Sequence, residues 1–437
     1  MILVLRLLPA ILCSLLMGAH ASRAGWGLFA AAGFALFPLL LFVRRRWVLN
    51  VTRVLLVVAA FEWLRTAAGY ASERAALGQP SLRLWFILGG VAAFNLAAAA
   101  LLSGPRVAKW FDRNERTAPV ATAAFLVAFG LLLFLQAKLE LRLLLLDRFF
   151  PGAGWPELLA LSIYAAFVAD WLLDTPRIPT WRFRIWMLFS VVFFTQLGLG
   201  LAGFTQFLMT GALHLPIPAM IVGGPAYRGG GFFMPILFLV TIAFVGPAWC
   251  SHLCYFGAWD NAAARILPRT KPTPRWLPHL RWALLALVVL GALGLRAAGL
   301  PAAVAAGFGL GFGLVGVAVM ILWSRRTGVM THCVGYCPIG ALATGLGKLS
   351  PFRLEIGEGC TECRACTVVC RFRALEIEDL RRRRAGIACT LCGDCLPSCH
   401  GTFIRYRYLG LSPRAARGLF VALIAAFHAV FLGVARI

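Results

Sequence analysis

Eleven residues at positions 360–370, CTECRACTVVC, share their cysteine spacing with CTLCGDCLPSC at positions 389–399. Both stretches follow the pattern C-x2-C-x2-C-x3-C. In this spacing a tight loop presents three thiolates to one iron–sulfur cube, and the fourth cysteine reaches a second cube. Structural zinc, the main alternative, usually takes paired cysteine knuckles rather than two sets of four. The two stretches therefore predict two [4Fe–4S] clusters.

The exchange of the fourth cysteine between motifs predicts which thiolates share a cluster. The first cluster takes three leading cysteines from one motif and the last cysteine of the other: Cys360, Cys363, Cys366 and Cys399. The second cluster takes the complementary set: Cys389, Cys392, Cys395 and Cys370.

Two further cysteine pairs precede these motifs, in WCSHLCYFGAWD at 249–260 and HCVGYCPIGAL at 332–342. Cys250 and Cys254, like Cys333 and Cys337, are about one helical turn apart, so each pair lies on one helix face. Together they predict a four-thiolate site at the membrane boundary. A third iron–sulfur or other metal centre, a redox-active dithiol pair, a transient copper site and inert buried thiols all remain open. Cys13 stands apart and is expected to pack as a small hydrophobe.

The surrounding composition is that of a membrane protein. The chain has 437 residues, of which 61% are hydrophobic and 14% charged, with a mean hydropathy of +0.82. Soluble proteins carry about 25% charged residues, and this difference also excludes disorder and a secreted disulfide scaffold. The sequence predicts an α-helical polytopic membrane protein with about eleven transmembrane helices. They are expected near 4–21, 26–43, 51–70, 84–103, 118–137, 155–173, 185–204, 232–250, 282–299, 302–323 and 415–435.

These spans divide the chain into four predicted regions. Residues 1–180 form an N-terminal membrane domain of about six helices, whose role the sequence does not assign, and 181–345 form a four-helix core with both C-x3-C motifs. Residues 346–410 form a small α+β module, and 411–437 a C-terminal transmembrane helix. The first span is expected to be retained rather than cleaved as a signal, and the charged segment 139–154 to form an interfacial helix.

Charge predicts the orientation. The formal net charge is +25, from 42 basic and 17 acidic residues, and the basic residues concentrate in loops that fall on one side when the spans alternate. The positive-inside rule then places the N-terminus and residues 346–410 in the cytoplasm, in an inner-membrane protein. Nucleic-acid binding is not expected, because no aromatic–basic platform accompanies the charge. Arg381–Arg384 reads as a solvated loop or as a docking site for an acidic redox partner.

A few other polar residues are candidates for function. Glu62 and Asp170 lie inside predicted spans, where they either form structural ion pairs, for instance Glu62 with Arg65, or carry protons. Haem is not expected, because there is no C-x-x-C-H motif and only His20 and His428 lie well inside spans. His252 and His332 read as partners of the adjacent thiolates. The connector 214–231 is an ordered external loop or a cap over a quinone site.

The cysteine arrangement resembles the membrane polyferredoxin family, which includes NapH-type quinol dehydrogenases, NosR-type maturation proteins and CcoG-type reductases. The resemblance covers about residues 182–410 and rests on the two C-x3-C motifs followed by the two-cluster segment. Cys333 to Leu342 fits the family pattern, whereas Tyr255 replaces the usual proline after Cys254. Within residues 355–405 the chain resembles bacterial two-cluster ferredoxins, except that Arg371 and His400 stand where a proline commonly follows the fourth cysteine.

The resemblance implies a membrane-anchored electron-transfer protein of respiratory type. It would relay electrons between the quinone pool, or a membrane-boundary site, and a partner oxidoreductase through two cytoplasmic clusters, as a subunit of an oxidoreductase such as a quinol dehydrogenase. One alternative is a metal (copper) reductase or cofactor-maturation factor acting at the four-cysteine site. Another is a scaffold or redox sensor within a larger complex. Catalytic residues, direction of electron flow and redox partner are not assigned by the sequence.

Overall fold

The computed structural model describes residues 2–138, 143–208, 216–274 and 276–434. Within them, the first half of the chain contains these helices: α1 (Ile2–Arg23), α2 (Leu28–Leu36), α3 (Arg46–Ala76), α4 (Leu82–Leu101), α5 (Pro105–Trp110), α6 (Ala118–Lys138), α7 (Leu145–Phe149), α8 (Gly154–Leu173) and α9 (Ile178–Leu201). The second half contains α10 (Met220–Arg228), α11 (Phe233–Val245), α12 (Tyr255–Ala264), α13 (Leu277–Ala297), α14 (Ala302–Val319), α15 (Arg325–Thr327), α16 (Pro338–Leu346), α17 (Ile377–Arg381) and α18 (Pro413–Val434), with strands β1 (Phe352–Ile356) and β2 (Ile404–Tyr408).

Ten helical segments within these described ranges are long and apolar enough to cross a bilayer. This is the helix content of a multi-pass membrane protein. The predicted span over 26–43 is not among them. Here α2 gives way to a 3-10 turn over Phe37–Phe42, because Pro38 has no N–H to continue α-helical hydrogen bonding. The resulting apolar segment is only about 26 Å long, less than the roughly 30 Å of hydrocarbon it would have to cross.

The chain divides into two compact units, Met1–Asp170 and Trp171–Ile437. In the first, buried and half-buried carboxylates are tied into hydrogen-bond networks. Glu62 accepts two hydrogen bonds from Arg65, both at 2.7 Å, which confirms the expected ion pair, and it also contacts His20 at 3.3 Å. Asp170 accepts from Arg45, Asn114 and Thr117 at 2.5–3.1 Å. Both acids therefore hold helices together in the structure.

Part of the predicted interfacial helix over 139–154 lies outside the described residues. In the remainder, α7 is a single short helix of five residues. Asp147, within α7, is buried and accepts the backbone N–H of Gly152 at 2.6 Å. The described part of this segment is therefore a short turn followed by a tight loop, not one continuous helix.

The second unit contains the membrane helices α9, α11, α13, α14 and α18 together with the cysteine-rich segment. β1 and β2 pair antiparallel in that segment, with Phe352 opposite Tyr408 and Ile356 opposite Ile404. Alternate residues of the strands are buried. From here on, residues 350–410 are called the cysteine module.

The C-terminal helix joins the module to the membrane helices. Phe420 of α18 stacks on Tyr406 with ring centroids 4.8 Å apart and meets Phe352 edge-on at 5.5 Å. Deeper in the same helix, His428 contacts the carbonyl of Ile185 at 3.0 Å. One face of α18 thus packs on both the sheet and α9.

A buried ion pair fixes the module to α9. Arg182, which is fully buried, donates to both carboxylate oxygens of Asp394, at 2.8 and 2.5 Å. Its remaining terminal nitrogen donates to the carbonyl of Ser251 at 3.0 Å, and the Ser251 hydroxyl donates to the carbonyl of Thr390 at 2.9 Å. The second cysteine loop of the module is thereby held against the first C-x3-C motif.

Substitution of Arg182 by methionine should destabilise the protein by about 3–5 kcal/mol, because the Asp394 carboxylate would stay buried without a partner. The thermal unfolding midpoint in detergent measures the loss. Arg184→Met on the same helix is the matched control, since this side chain is exposed, and it should cost less than about 1 kcal/mol. Equal stability of Arg182→Met and the native protein would contradict this role.

Candidate iron–sulfur site

The two C-x3-C motifs have the same local structure. Each begins in a π-helical turn, over Trp249–Leu253 and His332–Tyr336. The second cysteine of each motif then leaves the helical conformation, with φ/ψ of −79°/108° at Cys254 and −71°/116° at Cys337, and caps the next helix. Tyr255 therefore occupies the same first helical position as Pro338, a position that proline favours but does not require. Tyr255 in place of the usual proline therefore leaves the geometry of this turn unchanged.

A glycine completes each turn. A Cβ on Gly257 would come within 3.0 Å of the Cys250 carbonyl oxygen, and one on Gly340 within 2.8 Å of the Cys333 carbonyl oxygen. Both glycines are followed by a fully buried alanine. The repeated unit is thus C-x3-C-x2-G-A, a repeat that is visible in the sequence but that the sequence analysis passed over.

The structure brings the four cysteines of these turns together. Cys333 lies close enough to Cys250, Cys254 and Cys337 to interact electrostatically with each of them. The second sulfur of each motif also accepts backbone N–H groups from the first turn of the following helix: Phe256 and Gly257 for Cys254, Ile339 and Gly340 for Cys337. A helix N-terminus favours negative charge, so these N–H groups partly offset the burial that raises the pKa of both thiols. We call these four cysteines the boundary site.

Buried polar groups hold the two halves of the boundary site together. Asp260 of α12 accepts the backbone N–H of Cys333 at 3.0 Å and the hydroxyl of Ser324 at 2.6 Å. Trp186 donates its indole N–H to the carbonyl of Cys254 at 2.7 Å. Each contact bridges elements far apart in sequence, so spacing along the chain gave no signal for them.

A buried arginine faces the boundary site. Arg281 of α13 is 2% exposed and interacts electrostatically with Cys250, Cys333 and Cys337. One terminal nitrogen donates to the carbonyl of Gly340 at 3.3 Å. Its Nε and Nη2 have no hydrogen-bond partner among the residues that the structure describes. An unpaired buried guanidinium is costly, and the donor set therefore fits an anionic group with hydrogen-bond acceptors, as a thiolate-bound iron–sulfur cube is.

The eight module cysteines lie near one another in two places. Electrostatic interactions link Cys366 to Cys360, Cys363 and Cys399. A recess in the module is lined by all four of the others, which are Cys370, Cys389, Cys392 and Cys395. Its remaining walls are mainly apolar, including Leu354 and Phe372. The crossed ligand sets themselves stay a prediction from the spacing.

The two cysteine loops also match in backbone conformation. Residues on either side of the second cysteine have positive φ in both loops: Glu362 and Arg364 in the first, Leu391 and Gly393 in the second. Three of these four positions are not glycine, and side chains there are strained. Such strain persists when the surroundings impose it. Ligation of three thiolates from one loop to a common centre is a constraint of this kind.

Burial makes free thiolates unfavourable in the module. It raises the pKa of Cys366 and Cys392 to about 11 and that of Cys389 to about 12. Ligation by iron supplies the positive charge that offsets this desolvation. Among the described residues, no group of three or more His, Cys, Asp or Glu side chains is suited to hold a single metal ion.

The residues after the fourth cysteines explain the asymmetry of the module. Arg371 donates to the carbonyls of Ala264, Gly328 and Leu267 at 2.6–3.0 Å, and so fastens the Cys370 side to loops of the membrane core. His400, its counterpart, is exposed, and so is Cys363. The group containing Cys370 thus faces the membrane core, and the group containing Cys399 faces solvent.

The other residues singled out in the sequence are two histidines near the boundary site, Cys13 and the connector that begins at His214. His252 and His332 are buried, and His252 contacts Ser251 at 3.0 Å; their role as partners of the thiolates stays a prediction. Cys13 is fully buried among apolar side chains. His214 and part of its connector lie outside the described residues.

Comparison with known proteins identifies the first C-x3-C motif independently. Residues 227–274, which contain Cys250 and Cys254, match the model of a family described as a 4Fe-4S binding domain. No curated protein and no solved structure matches the chain. The chain therefore contains a 4Fe-4S binding domain, and at least one iron–sulfur cluster is supported.

Gly340→Ala tests whether the boundary cysteines bind a cube: the added Cβ would press on the Cys333 carbonyl oxygen, so iron per chain should fall by about four atoms. Iron and acid-labile sulfide per chain, assayed after anaerobic purification, measure the loss. Gly311→Ala on α14 is the matched control, since no described atom lies within 4 Å of the added methyl group. Unchanged iron in Gly340→Ala would show that the turn geometry is unimportant.

Proposed function

We propose that the protein is a membrane iron–sulfur electron-transfer protein that relays electrons between the quinone pool and a partner oxidoreductase. The observation that carries the proposal is the assembly of twelve cysteines into three groups of four, placed from the solvent-exposed edge of the module to the membrane helices. A [4Fe–4S] cluster held by four thiolates accepts and donates one electron at a time. Relay of electrons is thus the chemistry that these residues favour.

The proposed ligand sets follow the groups already described. Cys360, Cys363, Cys366 and Cys399 would hold the outer cluster, and Cys389, Cys392, Cys395 and Cys370 the inner one. Cys250, Cys254, Cys333 and Cys337 would hold a third cluster at the boundary site, an assignment supported by the family match and by the unpaired nitrogens of Arg281.

Close packing between neighbouring groups supports a continuous route. Cys395 of the inner set interacts electrostatically with Cys366 of the outer set. A single hydrophobic cluster built around Trp186, Met330 and Phe372 has cysteines of both the inner set and the boundary site packed against it: Cys333, Cys370 and Cys392. Protein atoms thus fill the space between the sets, with Arg182 and Asp394 fixing their separation.

The arrangement favours this function over metal-ion reduction. The buried guanidinium of Arg281 faces the boundary site and would repel a bound copper cation. The scaffold or sensor alternative lacks a specific supporting contact.

The basic loops support a location in the inner membrane with the module in the cytoplasm. Counting ten crossings instead of eleven leaves those loops on one side but changes the side of the N-terminus. We therefore infer an N-terminus outside rather than inside. The exposed Arg381, Arg382 and Arg384 beside the outer set would then steer an acidic partner to the cytoplasmic face.

Cys250→Ser combined with Cys333→Ser should remove one of three EPR-detectable centres and stop electron exchange with decylubiquinol. Dithionite should still reduce the two module centres, because their ligands are untouched. Cys13→Ser, which lies in the other compact unit, is the matched control and should change neither property. Clusters unchanged from those of the native protein, together with lost Cu(II) reduction, would instead favour the metal reductase.

Arg281→Met should make the midpoint potential of one centre more negative by on the order of 60 mV, a tenfold change in a one-electron equilibrium. The reason is that a nearby positive charge stabilises the reduced, more negative cluster. Arg281→Lys should shift the potential less, and Arg296→Met at the exposed end of the same helix should leave it unchanged. Potentiometric titration followed by EPR measures each value, and identical potentials in all variants would refute the assignment.

A further inference from the structure

An apolar cleft lies between α10, α13 and α14. Its volume is about 500 Å³, within the range of roughly 300–1,000 Å³ found for small-molecule sites. Leu287 and Phe308 line it and are 61% and 65% exposed, so the cleft opens on the outer surface of the helices, which lipid would cover. Only Tyr227 and Arg228 contribute polar side chains to its lining.

The cleft has a polar end and an apolar end. Tyr227 lies at the polar end, where its hydroxyl donates to the carbonyl of Leu300 at 2.6 Å, beside the turn between α13 and α14. Phe312 lines the opposite end. From Ala302 to Phe312 the helix rises about 15 Å, half the thickness of the hydrocarbon layer. The cleft therefore extends from the membrane interface toward its middle.

The apolar end meets the boundary site. The ring of Phe312 stacks on Tyr336 with centroids 4.6 Å apart, and the Tyr336 hydroxyl donates to the Phe312 carbonyl at 2.8 Å. Tyr336 belongs to the π-helical turn between Cys333 and Cys337. One aromatic pair thus separates the cleft from two of the boundary thiols.

Small residues create the space in the cleft. Gly291 and Gly294 of α13 line it, and no described atom lies within 4 Å of a Cβ added at either position. By contrast, Gly309 packs tightly, with its added Cβ at 2.7 Å from the Met220 sulfur. The open glycines therefore face a cavity and not a helix neighbour.

We propose that this cleft is the binding site for a lipid-soluble quinone, with its ring at the polar end beside Tyr227 and Arg228, where water can supply protons, and its isoprenoid tail leaving between α13 and α14 into lipid. The proposal rests on the proposed function and adds the site at which the membrane carrier exchanges electrons. A quinone taking up two electrons from the protein and two protons from water at the polar end leaves as quinol, so the exchange balances. The apolar walls, the opening to lipid and the contact with the boundary turn favour this occupant over a structural phospholipid.

The test follows reoxidation of dithionite-reduced protein by decylubiquinone in a stopped-flow instrument, using the visible absorbance of the clusters. Gly291→Phe fills the cleft and should slow reoxidation at least about tenfold. Gly311→Phe is the matched control: it lies on α14 outside the cleft, also with open space around its Cβ, and should react as the native protein does. Gly294→Leu provides a second, smaller block with the same expected direction.

Different results would contradict the proposed quinone site and the proposed electron-transfer function. If the native, Gly291→Phe and Gly311→Phe proteins are reoxidised equally fast and have normal EPR spectra, the cleft is not the quinone site. The proposed electron relay would not be contradicted by that result. If decylubiquinone does not reoxidise the native protein although its clusters are intact, the proposed electron exchange with quinone is wrong. If mass spectrometry shows that Gly291→Phe displaces only a phospholipid while reoxidation is unchanged, the cleft is a lipid site and the proposal is wrong. If Gly291→Phe loses its clusters, the Gly294→Leu result decides.

Discussion

The buried ion pair between Arg182 and Asp394 is the interaction on which the rest of the arrangement depends. Asp394 lies between two cysteines of the inner set, and Arg182 also holds the carbonyl of Ser251, the residue after Cys250. Two chemically unlike regions, a polar cysteine module and an apolar helical core, are thereby held in one orientation. Electron exchange between redox centres requires such fixed, short separations. A surface ion pair would not serve, because solvent would weaken it.

Matched local structures recur within the second compact unit. The two C-x3-C turns share a π-helical turn, an extended second cysteine and a tightly packed glycine, and the two module loops share left-handed residues on either side of their second cysteine. In each pair the two copies differ mainly in what surrounds them. Arg371 faces the membrane core while His400 faces solvent, so duplicated loops acquire distinct environments. Iron–sulfur potentials respond to such differences in charge and exposure.

Cysteine spacing and hydropathy predicted much of this organisation, because both depend on neighbours close in sequence. The pairing of Glu62 with Arg65 and most long apolar helices followed from such local patterns. The span over 26–43 failed because a hydropathy average does not register that Pro38 shortens the helix. Arg281 and Asp260 were missed because only the folded chain brings them to the boundary cysteines. The carbonyl partners of Arg371 were missed because they lie tens of residues away. The glycines of the repeated C-x3-C-x2-G-A unit were readable but gained meaning only from the carbonyls they pack against.

The central claim is that three separate sets of four thiolates each hold a cube. Mössbauer spectroscopy of ⁵⁷Fe-enriched native protein, purified without oxygen and paired with sulfide analysis, tests it most directly. The account predicts about twelve irons and twelve sulfides per chain, all in cubane clusters. About eight irons, with Cys250, Cys254, Cys333 and Cys337 recovered as free or disulfide-bonded thiols, would contradict it and leave the module without its connection to the membrane.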